Sequence, residues 1–130
     1  MVQEDAAAQL VREYWQRMQT NDFAYAAQLL AEDYVLDWPQ SGERLRGREN
    51  FTRMNAEYPA HGKWRFTLNR LVSDGREVVS DVSVTDGVLS VRAITFSTVD
   101  GGQIVSQLEY WPEPFPAPPN RAHLVERMPA

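Results

Sequence analysis

Arg92 and Glu109 are the residues of this sequence best suited to chemistry. Arg92 alternates with Ile94 and Phe96, and Glu109 alternates with Val105, Gln107 and Trp111, in runs that read as β-strands. A charged side chain that shares an inward strand face with apolar neighbours is there either to pair or to react. As a reactive pair, Glu109 would abstract a proton from a carbon acid or activate water, and Arg92 would steady an enolate or a carboxylate. As a structural pair, the two would bridge neighbouring strands, and the cation would make Glu109 a weaker base. A bulge would turn either residue outward. Asn55 lies on the inward stripe of a helix, where its amide would orient a ligand carbonyl or hydroxyl, or satisfy backbone. His61 follows in a loop, as a mobile acid/base group or a solvated histidine. Trp38, Tyr58, Trp64, Phe66 and Trp111 supply either an aromatic lining for a flat apolar ligand or ordinary core.

Composition removes most other chemistries. The 130 residues contain no cysteine and two histidines, which excludes thiolate metal sites, disulfides and Cys nucleophiles and gives a metal centre little support. No cofactor is expected, since neither GxGxxG nor a P-loop occurs. With 13 Lys+Arg against 18 Asp+Glu, a net charge of -5 and no basic cluster, nucleic acid is an unsuitable partner. The acidic start Gln3-Glu4-Asp5 and the absence of a long apolar run argue against secretion and membrane insertion, so a cytoplasmic location is expected.

The elements that must hold these side chains follow from periodicity. Ala7, Leu10, Val11, Tyr14 and Met18 recur at helical spacing within Gln3 to Gln19. Asp22 caps a second helix from Phe23 to about Ala31, and Tyr34 to Trp38 alternates as a short strand ended by Pro39. A third helix runs from Arg48 to about Tyr58, closed by Pro59. Four long β runs follow, about 63–72, 77–85, 88–98 and 103–111, joined at Asp74-Gly75, Asp86-Gly87 and Asp100-Gly101-Gly102. The order ααβαββββ predicts an α+β fold. Residues 1–111 are expected to form one pocket domain. Residues 112–130, with prolines at Pro112, Pro114, Pro116, Pro118, Pro119 and Pro129, form an extended tail with a short helical turn at 121–127, packing on its own domain or on a dimer partner.

The segments "LLAEDYVLDWPQSGERLRGRENF" and "GGQIVSQLEYWPEPF", with Gly-Arg-Glu at Gly47 to Glu49 opening the third helix, resemble the SnoaL-like branch of the nuclear transport factor 2-like superfamily over nearly the whole chain. The resemblance implies a strongly curved, mostly antiparallel sheet wrapped around three N-terminal helices into a cone with an apolar pocket, and a homodimer. It includes ketosteroid isomerases, polyketide cyclases, scytalone dehydratase, limonene epoxide hydrolase and binding or association domains. By its place on the first helix, Tyr14 resembles the tyrosine that donates to the developing oxyanion in ketosteroid isomerases. The usual base position before the strand-ending proline holds Trp38, and Arg92 stands where the second oxyanion donor would be. The expected function is binding of an apolar or polycyclic small molecule by a dimer formed through the outer face of the sheet. An enzyme of this kind would isomerise or cyclise a carbonyl compound with Glu109 as base and Tyr14 and Arg92 at the oxyanion. Alternatives are a carrier or sensor without turnover, and an association module.

Overall fold

The computed structural model describes residues 4–129. Helix α1 (Ala6–Gln19) starts where the Asp5 carboxylate accepts the Ala8 N–H at 2.8 Å. Its apolar stripe of Ala8, Val11, Tyr14, Trp15 and Met18 is buried. Helix α2 (Phe23–Ala27) is capped by Asp22 and is shorter than its sequence pattern predicts. The chain extends from Leu30 because strand β1 (Leu30–Trp38) takes up the next residues. The single strand expected before the third helix is a hairpin, in which β2 (Glu43–Arg46) pairs back on β1. Gly47 then enters helix α3 (Arg48–Glu57) at φ 85°, a conformation that favours glycine, and donates its N–H to the Tyr34 carbonyl at 2.8 Å.

Strands β3 (Arg65–Asp74), β4 (Glu77–Thr85), β5 (Ser90–Asp100) and β6 (Gln103–Tyr110) form the expected antiparallel meander. They join β1 and β2 in one six-stranded curled, unclosed sheet of order β2-β1-β6-β5-β4-β3, with β1 and β6 parallel. The concave face holds α1, α2, α3 and the core of Val11, Tyr14, Leu30, Tyr34, Phe51, Val78, Val82 and Ile104. This is the α+β fold that the element order predicted, curled into the cone that the family resemblance implied.

The free edge at β3 is closed by side chains. Asn21, itself at φ 62°, donates to the Trp64 carbonyl at 2.7 Å and accepts the Trp64 N–H at 2.9 Å, while Gln19 accepts the Phe66 N–H. On the opposite side of the same end, the Asp86 carboxylate accepts the N–H groups of His61, Val88 and Leu89 and faces the His61 ring at 3.1 Å. These bonds, led by the His61 N–H, hold Asp86 well below the usual carboxylate range. Its loop bonds also move the start of β5 from Val88 to Ser90.

The Asn21 bridge predicts that Asn21→Ala lowers unfolding stability by about 1–3 kcal/mol, since two buried-side backbone groups lose their partner. Urea denaturation checks this. A change within experimental error would mean that water substitutes for the amide.

Candidate functional site

The inward rows of the sheet decide what meets at its centre. Register sets Val78, Ser97 and Gln107 across one row, and Ser80, Thr95 and Glu109 across the next. Tyr34, Leu36 and Trp38 point inward from β1, as their alternation predicts. A bulge between β5 and β6 pairs Val99 with Ile104 and leaves Val105 unpaired, so Ile104 rather than Val105 joins the buried row.

Glu109 is 6% exposed and makes no ion pair among the described residues. Three neutral donors hold its carboxylate. Trp38 Nε1 and Trp111 Nε1 donate to Oε1 at 3.1 and 3.0 Å, and Thr95 Oγ1 donates to Oε2 at 2.7 Å. Burial raises the Glu109 pKa above the ordinary glutamate value, while the bonds from Thr95, Trp38 and Trp111 oppose that rise by favouring the anion. The result is a carboxyl group made more basic by desolvation, with three fixed donors placed to stabilise its anion.

Next to it, the Tyr34 hydroxyl donates to Gln107 Oε1, and Gln107 Nε2 donates to Ser97 Oγ at 3.1 Å. Tyr14 is buried against the same amide; its pKa is pushed well above the phenol range by burial and by the Glu109 charge, against the pull of its hydrogen bond to Gln107. Burial does the same to Tyr34. Both phenols therefore remain protonated donors across the physiological range.

The open side is framed by the half-buried indoles of Trp38 and Trp111. Gln40, in the β1–β2 turn, fixes the second of these by accepting the Trp111 N–H at 2.6 Å and donating to the Trp111 carbonyl at 3.2 Å. Two recesses lie elsewhere, along α1. One of about 330 Å³ is lined by Arg12, Trp15, Gln16, Gln19, Phe66 and Leu68, and a shallower one of about 460 Å³ by Ala6, Gln9, Leu10 and neighbours. Neither touches Glu109.

Arg92 does not join this cluster. It lies on the outer face of the sheet and grips Asp81 through two bonds, Nη2 to Oδ2 at 3.1 Å and Nε to Oδ1, with Arg70 also on Asp81. The strand phase is opposite to the expected one: Ala93, Thr95, Ser97 and Val99 face inward, and Arg92, Ile94 and Phe96 face outward. The reason is space. Tyr14, Trp15 and Phe51 from the helices, with Tyr34 from β1, fill the concavity, so β5 presents small and hydroxyl side chains to them, and Trp15 Nε1 bonds Ser80.

Of the other expected residues, Asn55 is half-buried and turns its amide back onto the Phe51 carbonyl at 2.9 Å. Tyr58 is exposed and packs edge-on to half-buried Trp64, with ring centroids 6.2 Å apart. Phe66 lies against Trp15. His61 is exposed and held by Asp86. The structure thus gathers Tyr14, Trp38, Gln107, Glu109 and Trp111, and puts Tyr58, His61 and Trp64 on the segment between α3 and β3. Thr95, Ser97, Tyr34 and Gln40 complete the cluster without having been singled out. Thr95 and Ser97 share a strand face with Ala93, opposite Ile94 and Phe96, a signal that choosing the bulky face as the inner one hides, whereas nothing in the sequence marks Gln40.

The model of the SnoaL-like domain matches residues 11–107. The chain belongs to the SnoaL-like family. Among solved structures, this SnoaL-like chain is similar to a candidate ketosteroid isomerase from Kribbella flavida DSM 17836, at 37% identity and TM-score 0.88, covering 96% of this chain and 91% of that one. It shares its fold with an NTF-2 like protein of unknown function from Burkholderia xenovorans LB400, at 24% identity and TM-score 0.77 over 95% and 96% of the two chains. The same holds for a candidate SnoaL-like polyketide cyclase from Shewanella denitrificans OS-217, at 12% identity and TM-score 0.70 over 84% and 92%. No curated protein matches the SnoaL-like sequence. No described helix is long and apolar enough to cross a membrane.

The raised pKa of Glu109 fixes the sign of a stability prediction. A carboxyl whose folded pKa exceeds its unfolded value contributes most below the unfolded pKa, and that contribution is lost as pH rises through the folded one. Glu109→Gln should therefore raise Tm at pH 7, with a gain that shrinks as pH falls toward 4, in thermal melts of both chains. A lower Tm for the variant at pH 7 would show that the ionised form is the more stable one in place.

Proposed function

We propose that this SnoaL-like protein is a cofactor-free proton-transfer enzyme acting on an apolar carbonyl compound, by isomerisation or aldol-type cyclisation. The observation that carries the reading is Glu109, a buried carboxyl group with three neutral donors and, among the described residues, no paired cation. Glu109 would take a proton from the carbon next to the substrate carbonyl. The electron pair left on that carbon moves onto the carbonyl oxygen, giving an enolate. Tyr14, a protonated phenol in the same cluster, would donate to that oxygen, and Gln107 and Tyr34 would hold Tyr14 in line. Return of the proton to a different carbon completes an isomerisation, whereas attack of the enolate carbon on a second carbonyl, whose oxygen then takes the proton back from Glu109, completes a ring closure.

Arg92 has no part in this scheme, since Asp81 holds it on the outer face. Trp38 and Trp111 would give the substrate flat apolar walls and keep water from the carboxylate. His61, Tyr58, Trp64, Phe66 and Asn55 would shape the entrance at most. The reading includes a homodimer through the outer face of the sheet, supported by the exposure of Val72, Phe96 and Tyr110 there.

A bicyclic ketone such as 2-tetralone provides the test, by NMR detection of deuterium uptake from D2O at its α-carbon. The chain should accelerate uptake, and Glu109→Gln should remove at least about 100-fold of that acceleration, the scale of a general base. Tyr14→Phe should lower the rate while leaving the pH dependence of the base unchanged. If the chain binds the ketone without accelerating exchange, or if Glu109→Gln exchanges as fast as the native chain, the enzymatic reading fails.

A further inference from the structure

The chain exposes 8901 Å², whereas a compact monomer of its 14.9 kDa should expose about 7,000 Å². The surplus of roughly 1,900 Å² is larger than the roughly 800 Å² that each partner contributes to an ordinary stable interface. Two regions carry apolar side chains in that surplus. One is the outer sheet face, where register lines up Val72, Val79, Phe96 and Leu108 in one row and Ile94 beside Tyr110 in the next; Val72 is 64% and Phe96 41% exposed. The other is the segment after Trp111, exposed throughout to Pro129 except for half-buried Pro118. It presents Phe115 and Leu124, each 76% exposed, together with Val125 and Met128.

The tail has a definite course despite making so little contact with its own domain. Pro112, Pro114, Pro116, Pro118 and Pro119 lack N–H donors and hold φ near that of extended polyproline, so the segment cannot continue β6 as a strand. It ends in a short 3-10 helix, Pro119–Leu124, that buries none of its residues. A chain stiffened in this way loses little conformational entropy on docking. Tyr110, the last residue of β6, lies on the outer face, and the tail departs one residue later. Pairing two sheets by their outer faces about a two-fold axis would start each tail at the surface of the other subunit.

We infer that residues 112–129 form an exchanged arm, which docks Phe115 and Leu124 of one copy on the outer sheet face of a second copy of this chain. The inference rests on the sheet-to-sheet dimer proposed above and adds to it where the tail goes and what it covers. It does not depend on the reaction assigned to Glu109.

Placing the photo-crosslinker benzoyl-phenylalanine at position 115 of the full-length chain tests it, with irradiation at low micromolar concentration and sedimentation of the same sample. The expected product has the mass of two chains, and its crosslinked peptides map to β3, β4 or β5. The full-length double variant Phe115→Ala/Leu124→Ala should weaken self-association by roughly 100-fold. Crosslinks only within one chain, or none, while the protein sediments as a dimer would overturn the exchange and leave the sheet pairing standing. Sedimentation as a monomer would overturn both.

Discussion

A carboxylate in a protein interior without a cation must be stabilised by dipoles, and this constraint organises one end of the cone. Glu109 comes from β6, and its three donors come from β1, β5 and the residue just after β6. Those donors reach it only if β1 runs parallel beside β6 and β5 runs antiparallel on the other side, which is the sheet order found. The helix hairpin and α3 then close the concave face with Tyr14, Trp15 and Phe51, which remove water and so raise the energy of the anion. The proposed role of Glu109 as a base would use this cost, since desolvation makes the anion more basic.

The outer face obeys the opposite electrostatic rule. Asp81 is shielded from solvent but shared by Arg92 and Arg70, and its pKa falls below the ordinary range chiefly through the bond from Arg92. Asp86 is likewise held ionised, by backbone N–H groups. These carboxylates stabilise the fold above their unfolded pKa and lose that effect as the medium is acidified, whereas Glu109 behaves with the reverse sign. Sheet-face and loop acids are therefore structural, and the interior acid is the exception.

Much of this was legible in the sequence, and the limit has a physical cause. The Asp-Gly turns located the meander, the helical stripe located α1, and alternation in β1 and β6 put Trp38, Gln107 and Glu109 inward. Alternation alone fixes only that two faces exist. Choosing the bulky face of β5 as the inner one reversed Arg92, because the volume already occupied by Tyr14, Trp15 and Phe51 is a property of packing and not of the strand. The same reversal concealed Thr95 and Ser97, whose small side chains are what a crowded concavity accepts. Gln40 was invisible for a different reason, since its partner Trp111 is distant in sequence and a glutamine in a turn carries no periodic signal.

The central claim is that Glu109 is a desolvated carboxyl group, more basic than an ordinary glutamate, whose anion is stabilised by the two indoles and Thr95. A 13C NMR titration of the glutamate side-chain carboxyls, with the indole N–H resonances of Trp38 and Trp111 followed in the same samples, measures this directly. The account predicts a Glu109 midpoint above that of an ordinary glutamate, with both indole protons shifting at that same midpoint. A midpoint at or below the ordinary value, or indole resonances indifferent to the titration, would contradict it.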